Sequence, residues 1–201
     1  CVAGSRLFVE HSIYDEFMDR LVDVSKKLKV GPPLEDASNI GPMASEAQRA
    51  RIEGYVDLAK KEGGRVLLGG TRPNSDDCQD GAYYLPTIID GLDHSSAVCQ
   101  EEIFGSVLVA LPFTTEDDLI EQANDTVFGL ACGIWSHDLT KAWRVAGAIK
   151  AGTVWINTYK QLSIAAPFGG YKESGLGREK GIQGLRAYQQ TKSIYLGGLG
   201  G

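Results

Sequence analysis

A cysteine at the first position is the residue of this chain best suited to covalent chemistry. Cys1 opens the run CVAGSR at residues 1–6. A thiolate is nucleophilic toward a carbonyl carbon and is also a good leaving group from a thioester. The small residues that follow, above all Gly4, suit a thiol held on a tight turn. Taken alone, Cys1 also fits a small buried residue at the head of a strand.

The other three cysteines form no recognisable metal or disulfide pattern. Cys78, Cys99 and Cys132 are widely separated, with no CxxC pair and no histidine at ligand spacing. The spacing therefore predicts that the chain has no zinc site. Because free thiols are typical of a reducing compartment, we expect a cytoplasmic protein.

Two further segments carry carboxylates and aromatic rings among glycines. They are EEIFG at residues 101–105 and PFGGYKESGLGRE at residues 167–179. Each has a plainer interpretation, with Phe104 as a core residue and Glu179 paired with Arg178 on the surface. The glycine-rich run is not a phosphate loop, because it lacks the GxxxxGK[ST] order and does not follow a strand directly.

In this order, and with GTVWIN at residues 152–157 between the last two, the segments resemble the C-terminal, catalytic half of the NAD(P)-dependent aldehyde dehydrogenase superfamily. The resemblance runs from Cys1 to about Leu196. It implies an α/β catalytic domain over residues 1–188, with a largely parallel sheet flanked by helices. An oligomerisation strand and tail would follow at 189–201, and the dinucleotide-binding domain would be absent from this chain.

The resemblance also implies a catalytic cycle. Cys1 matches the nucleophile, which forms a thiohemiacetal, loses hydride to NAD or NADP, and leaves a thioester that water hydrolyses. Glu179 matches a glutamate that helps to relay protons from the general base. Glu102 matches the residue that hydrogen-bonds the nicotinamide-side ribose, since its oxygens accept from both hydroxyls. Phe104 matches the aromatic residue beside the nicotinamide ring.

The substrate would be an aldehyde held by a funnel with apolar walls. Val2, Leu162 and Phe168 match positions on that wall and suit an alkyl or aryl aldehyde. Lys160 lies at the mouth, where it either attracts a substrate carboxylate or points to solvent. Asn157 matches an asparagine near the active site.

One departure from the family pattern concerns the loop that carries Glu102 and Phe104. The family usually has Gly-Pro after the aromatic residue, whereas this chain has Gly105 followed by Ser106. Because proline fixes φ, its absence predicts a looser turn.

The resemblance places essential parts of the enzyme before Cys1. These are the cofactor domain, the general base and the asparagine of the oxyanion hole. We therefore expect the 201 residues alone to be inactive and the missing N-terminal half to be a required partner. The segment Thr191–Leu196 matches one that joins a neighbouring subunit's sheet, which implies a homodimer or tetramer.

Composition excludes several other classes of function. The net charge is −6 and the pI about 5.1, so neither nucleic acid nor an anionic membrane surface is an expected partner. No apolar run approaches the roughly 18 residues that a membrane-spanning helix needs.

The elements that must position these residues alternate between strands and helices, which is typical of an α/β fold. Helix N-caps are expected at Ser12, Ser45, Thr115 and Asp138. Strands are expected at Ser5–Glu10, Arg65–Leu68, Tyr84–Ile89, Val107–Leu111, Gly129–Trp135, Thr153–Ile156 and Thr191–Leu196. A long loop is expected from Asn157 to Glu179.

Three other functions remain open at this point. An acylating relative would pass the thioester to coenzyme A, although Glu179 and the PFGG run look more like the hydrolytic branch. A binding or structural relative would keep the fold without turnover. A thiol esterase would use the same nucleophile without a cofactor.

Overall fold

The computed structural model describes residues 1–198, in two compact units that comprise Cys1–Thr126 and the residues from Val127 onward. The strands are β1 Arg6–Glu10, β2 Arg65–Leu68, β3 Thr87–Asp90, β4 Val107–Phe113, β5 Phe128–Gly129, β6 Ala131–Ile134, β7 Thr153–Ile156 and β8 Tyr171–Lys172. The helices are α1 Tyr14–Ser25, α2 Glu46–Lys61, α3 Ala97–Gln100, α4 Glu116–Asn124, α5 Leu139–Ala148 and α6 Gly181–Ala187.

The first unit is built on a four-stranded sheet with the order β1-β4-β3-β2. Strand β4 is parallel to both β1 and β3, and the edge strand β2 is antiparallel to β3. In this register Arg6 lies opposite Val109, and Thr87 lies opposite Val107. The predicted α/β class is confirmed.

Helices cover both faces of this sheet because successive strand residues point in opposite directions. Ile89 of β3 packs in one buried cluster with Val56 of α2. Its neighbour Ile88 packs in a second cluster with Met18 of α1. Helix α2 is therefore firmly packed against the sheet, with Ile52 and Val56 almost fully buried.

Three of the four predicted N-caps are confirmed. A side-chain oxygen of each accepts the backbone N–H three residues later, at Ser45, Thr115 and Asp138. The prediction for Ser12 is wrong. Residues 11–13 form a 3₁₀ turn, α1 begins at Tyr14, and the Ser12 hydroxyl donates to Glu10.

Two predicted strands are shorter than expected, each for a backbone reason. Strand β3 starts at Thr87 rather than at residue 84, since Pro86 has no N–H to donate to a neighbouring strand. The predicted strand over 129–135 is interrupted at Leu130 because the chain changes partner there. Residues before the break pair with β8, and residues after it pair with β7.

The second unit contains two small sheets. Strands β6 and β7 are parallel and are connected through α5, while β5 and β8 are antiparallel. Helix α6 was not predicted.

The expected strand at Thr191–Leu196 is absent. Residues 191–198 have no regular secondary structure, and Ile194, Tyr195 and Leu196 are exposed. The rest of the predicted tail, at 199–201, lies outside the described residues.

The helices of both units are short. The longest helix in residues 1–198 is α2, with 16 residues. Within the same residues no helix combines the length and the apolar character needed to cross a membrane.

Candidate functional site

Cys1 is exposed and lies on an irregular segment immediately before β1. The alternative of a buried residue at the head of a strand is therefore wrong for this chain. The segment is joined to the sheet at its far end, where the Val109 N–H donates to the Ser5 carbonyl over 2.9 Å. Val2, next to the thiol, is half-buried.

Arg6 anchors the end of this segment to the C-terminus of α4. One guanidinium nitrogen lies 2.9 Å from Nε2 of His94 and 3.2 Å from the Gln122 carbonyl oxygen, and another donates to the Ala123 carbonyl over 3.0 Å. Carbonyls in the last turn of a helix have no partner within the helix, so they accept readily from a cation. The end of the segment that carries Cys1 is thus fixed at the sheet.

The remaining cysteines are less accessible than Cys1. Cys78 and Cys99 are buried, and Cys132 is half-buried in β6. Burial raises the pKa of the Cys99 thiol to about 11. Among residues 1–198, no group of three or more histidine, cysteine or acidic side chains is arranged to hold a metal ion.

The loop of residues 101–105, here called the EEIFG loop, presents Glu102 and Phe104 to solvent. Glu102 is exposed, and the Phe104 side chain is 58% exposed, so the interpretation of Phe104 as a core residue is wrong for this chain. Phe104 also has a φ of 58°, in the left-handed region that residues other than glycine rarely adopt. The predicted cofactor residues are thus displayed together on one loop.

One face of α2 holds the backbone of the EEIFG loop. The Gln48 amide donates to the carbonyls of Ile103 and Phe104, over 2.9 Å in each case. The Arg51 guanidinium donates to the Glu102 carbonyl over 2.8 Å. These bonds reach the peptide groups on both sides of Phe104 and the one that follows Glu102.

Two more residues of the same helix face complete this support. The Tyr55 hydroxyl donates to the Glu101 carboxylate over 2.5 Å, and this bond raises the pKa of Tyr55. Ile52 packs so closely against Gly105 that an added Cβ at Gly105 would clash with it. The sequence predicts the helix but not this role, although positions 48, 51, 52 and 55 share one face by their spacing.

In the second unit, the segment after β7 is held in an unusual backbone conformation. Asn157 has a φ of 54°, and its side-chain amide bonds both the N–H and the carbonyl of Ser136 over 2.9 Å. Lys160 is exposed and has a φ of 59°. The Trp155 indole donates to the Gln161 carbonyl over 2.7 Å, which ties the following residues to β7.

Aromatic packing adds a second restraint to this segment. The Tyr159 ring lies 4.8 Å from that of Trp155 and 5.9 Å from that of Trp135. Leu162, predicted on the funnel wall, is 48% exposed.

Phe168 and Glu179, both predicted site residues, are directly bonded. Each donates its N–H to the carbonyl of the other over 2.8 Å, so they close the glycine-rich loop between them. Phe168 is half-buried, and the Lys180 ammonium lies 5.9 Å from its ring centre. Arg178 donates to the Gly170 carbonyl over 2.9 Å, so its guanidinium braces the loop from within.

Two of the predicted site residues have a backbone in the left-handed region. In residues 1–198, five residues other than glycine have positive φ: Phe104, Asn157, Lys160, Lys172 and Lys180. Phe104 and Lys160 are predicted site residues, and Lys180 follows Glu179. Such conformations persist only where the surroundings enforce them, and they concentrate at functional sites.

The eight predicted site residues divide evenly between the two units. Cys1, Val2, Glu102 and Phe104 belong to the first, on its N-terminal segment and the EEIFG loop. In the second unit, Lys160, Leu162 and Phe168 lie between β7 and β8, and Glu179 lies between β8 and α6. The single loop predicted over residues 157–179 is therefore wrong, since β8 interrupts it to pair with β5.

Sequence relatives point to one family. The model of the aldehyde dehydrogenase family matches residues 1–194. Betaine aldehyde dehydrogenase of Mesorhizobium japonicum is 41% identical over 196 residues, covering 98% of this chain and 40% of the relative. The Bacillus subtilis enzyme of the same name is 43% identical over 195 residues, covering 97% and 40%. The chain thus spans about two fifths of the length of these curated relatives.

Solved structures agree with the sequence relatives. Betaine aldehyde dehydrogenase of Staphylococcus aureus in complex with NAD+ superposes with a TM-score of 0.91 at 46% identity, over 94% of this chain and 37% of the other. An apo mutant of the same enzyme, with a BME-modified cysteine, gives a TM-score of 0.90 at 46% identity, over 92% and 37%.

Proposed function

Because the chain belongs to the aldehyde dehydrogenase family, we propose that it supplies the catalytic cysteine of an enzyme that oxidises an aldehyde to a carboxylic acid with NAD or NADP. The observation that carries this proposal is the exposed thiol of Cys1 on a segment anchored to the sheet by Arg6. A reactive cysteine in the family is also consistent with the BME-modified cysteine of the S. aureus relative.

Cys1 would react in three steps. The thiolate attacks the carbonyl carbon to give a thiohemiacetal, whose C–H bond then breaks with loss of hydride and leaves a thioester on Cys1. The nicotinamide cofactor, when bound, accepts that hydride. Water adds to the thioester, the carboxylic acid leaves, and the thiol is restored. Exposed Glu179 is the group that would pass protons during hydrolysis.

The residues of the EEIFG loop fit the nicotinamide half of the cofactor. The exposed Glu102 carboxylate offers two acceptor oxygens to ribose hydroxyls, and exposed Phe104 offers a flat apolar surface to a ring. The NAD+ complex of the S. aureus relative supports a nicotinamide cofactor for the family.

Substrate choice would depend on Val2, Lys160, Leu162 and Phe168. The names of the relatives make betaine aldehyde the first candidate substrate, and it carries a quaternary ammonium. The exposed Lys160 ammonium repels a cation and attracts an anion. A preference for a cationic or an anionic substrate can be tested with three aldehydes: betaine aldehyde, a neutral aldehyde of similar size and a carboxylate-bearing semialdehyde. With Lys160→Ala, kcat/KM for the semialdehyde should fall more than for the neutral aldehyde, and an equal change would remove Lys160 from substrate selection.

We place the chain at the part of its relatives that begins with the nucleophile, as a catalytic domain over 1–188 followed by a segment for oligomerisation. The motif order supports this placement, and the exposed apolar side chains Ile194, Tyr195 and Leu196 are consistent with a covered segment in a homodimer or tetramer. The activity would then require the remaining polypeptide as well. We propose a cytoplasmic location because the four cysteines are widely separated in the sequence and form no disulfide framework typical of secreted proteins.

The test compares the complete product of the gene with its Cys1→Ala variant. We expect aldehyde-dependent formation of NADH or NADPH in the former and a loss of at least about 10³-fold in the latter, since no other group replaces the nucleophile. Retained turnover in Cys1→Ala would overturn the proposal. Product analysis with and without coenzyme A distinguishes a free acid from an acyl thioester. Absence of both products would favour a binding protein.

A further inference from the structure

We propose that Gln48 is a positioning residue that sets the conformation of the EEIFG loop and thereby the affinity for NAD or NADP. This inference rests on the proposed function, because it assumes that Glu102 and Phe104 contact the cofactor. Helix α2 would supply the restraint on the backbone of the EEIFG loop that Ser106 does not, since serine, unlike proline, leaves φ free.

The two bonds from Gln48 reach the two peptide groups that flank one residue. The carbonyl of Ile103 belongs to the peptide group before Phe104, and the carbonyl of Phe104 belongs to the one after it. The orientations of these two planes define φ and ψ of Phe104. A single amide group therefore holds Phe104 in its left-handed conformation, with φ at 58°.

Gln48 can act in this way because its own position is fixed. It lies in the first turn of α2, where its N–H donates to the hydroxyl of the N-cap Ser45 over 3.1 Å. One turn further along, Ile52 is fully buried and contacts Gly105 at the end of the loop. The side-chain amide of Gln48 thus projects from a rigid base.

Arg51 provides a second restraint on the same loop. Its guanidinium donates to the carbonyl of Glu102 over 2.8 Å. Gln48 and Arg51 together bind three consecutive carbonyls, those of residues 102, 103 and 104. The side chains of Glu102 and Phe104 take no part in these three bonds and both remain exposed.

The test uses Gln48→Glu and Gln48→Ala in the complete gene product. The carboxylate keeps the size of the side chain but has no hydrogen to donate, and alanine removes the bonds without adding charge. We expect the KM for NAD or NADP to rise about 10-fold in both, because two hydrogen bonds are lost. Hydrolysis of a simple aryl ester by Cys1, measured without cofactor, should stay unchanged.

Gln79→Glu is the matched control. The Gln79 amide also donates to a backbone carbonyl, that of Ser75 over 3.2 Å, on an exposed turn. It should change neither activity. An unchanged cofactor KM in both Gln48 variants would overturn the inference, as would a parallel loss of ester hydrolysis, which would indicate general damage. If the unaltered protein oxidised no aldehyde with either cofactor, the proposed function itself would fail.

Discussion

The four cysteines show how local surroundings separate groups of identical chemistry. Cys99 lies in a buried cluster with α2, and its pKa is raised to about 11 because burial disfavours the thiolate. Cys1, by contrast, is exposed and lies on a segment without regular secondary structure. Because the thiolate is the nucleophile, we expect Cys1 to react faster than Cys99.

This contrast predicts selective alkylation. At pH 8 the Cys99 thiol is ionised to only about one part in a thousand, so iodoacetamide should modify Cys1 long before Cys99. Peptide mass spectrometry over a time course measures both rates. Cys1→Ser should abolish the fast phase, whereas Cys78→Ser should leave it intact, since Cys78 is buried. Comparable rates at Cys1 and Cys99 would contradict the assignment.

At the scale of elements, close backbone contacts hold the loops that carry the site. Gly152, just before β7, lies so near the Gly169 carbonyl that any side chain there would collide with backbone. Gly169 follows Phe168, and Phe168 is bonded to Glu179. The start of a strand therefore positions the glycine-rich loop.

Gly152→Ala should destabilise the second unit. Because the collision is with a backbone oxygen, we expect a loss of about 1–3 kcal/mol in the free energy of unfolding. Gly147→Ala is the control, since Gly147 lies in α5 with nothing within 4 Å and should gain roughly 0.5–1 kcal/mol. Urea unfolding measures both. A Gly152→Ala protein as stable as the parent would contradict the tight contact.

The sheet of the first unit should lose stability in alkali. Burial raises the pKa of Tyr14 and of Tyr84 from 10.0 to about 12. A raised pKa means that the folded state favours the protonated tyrosine. The stability that each tyrosine contributes to the folded state is therefore complete below pH 10 and is lost between pH 10 and 12.

Unfolding experiments across this range test the effect. The free energy of unfolding should fall with pH above 10, and Tyr84→Phe should flatten the decline because it removes one of the two titrating groups. A decline of the same slope in Tyr84→Phe would show that Tyr84 does not contribute.

At the scale of the whole chain, local sequence patterns predict where helices and strands lie better than they predict which strands pair. N-caps such as Ser45 depend on neighbouring residues only and were predictable. The break at Leu130 depends on which strand lies alongside, and short-range periodicity carries no such information. The site residues divide in the same way, into those that a local motif indicates and those that depend on contacts distant in sequence. Cys1 and Glu102 are predicted from motifs and stay predictions, whereas the bonds of Gln48 to carbonyls 55 and 56 residues away could not be predicted.

The 201 residues alone should not reduce NAD or NADP. The general base and one oxyanion donor are expected outside this sequence, and one missing donor costs about 10²–10³ in rate. The measurement is cofactor reduction by the isolated chain beside the complete gene product, with circular dichroism as the check on folding. Turnover by the isolated chain would contradict this expectation.

The most direct test of the central claim is to find the thioester on Cys1. The complete gene product is mixed with aldehyde and cofactor, quenched in acid and digested, and the peptide that carries Cys1 is weighed by mass spectrometry. We predict an added acyl group on Cys1 only when aldehyde and oxidised cofactor are both present, and none in Cys1→Ser. Turnover with no acyl group on Cys1, or with the acyl group on another residue, would contradict the account.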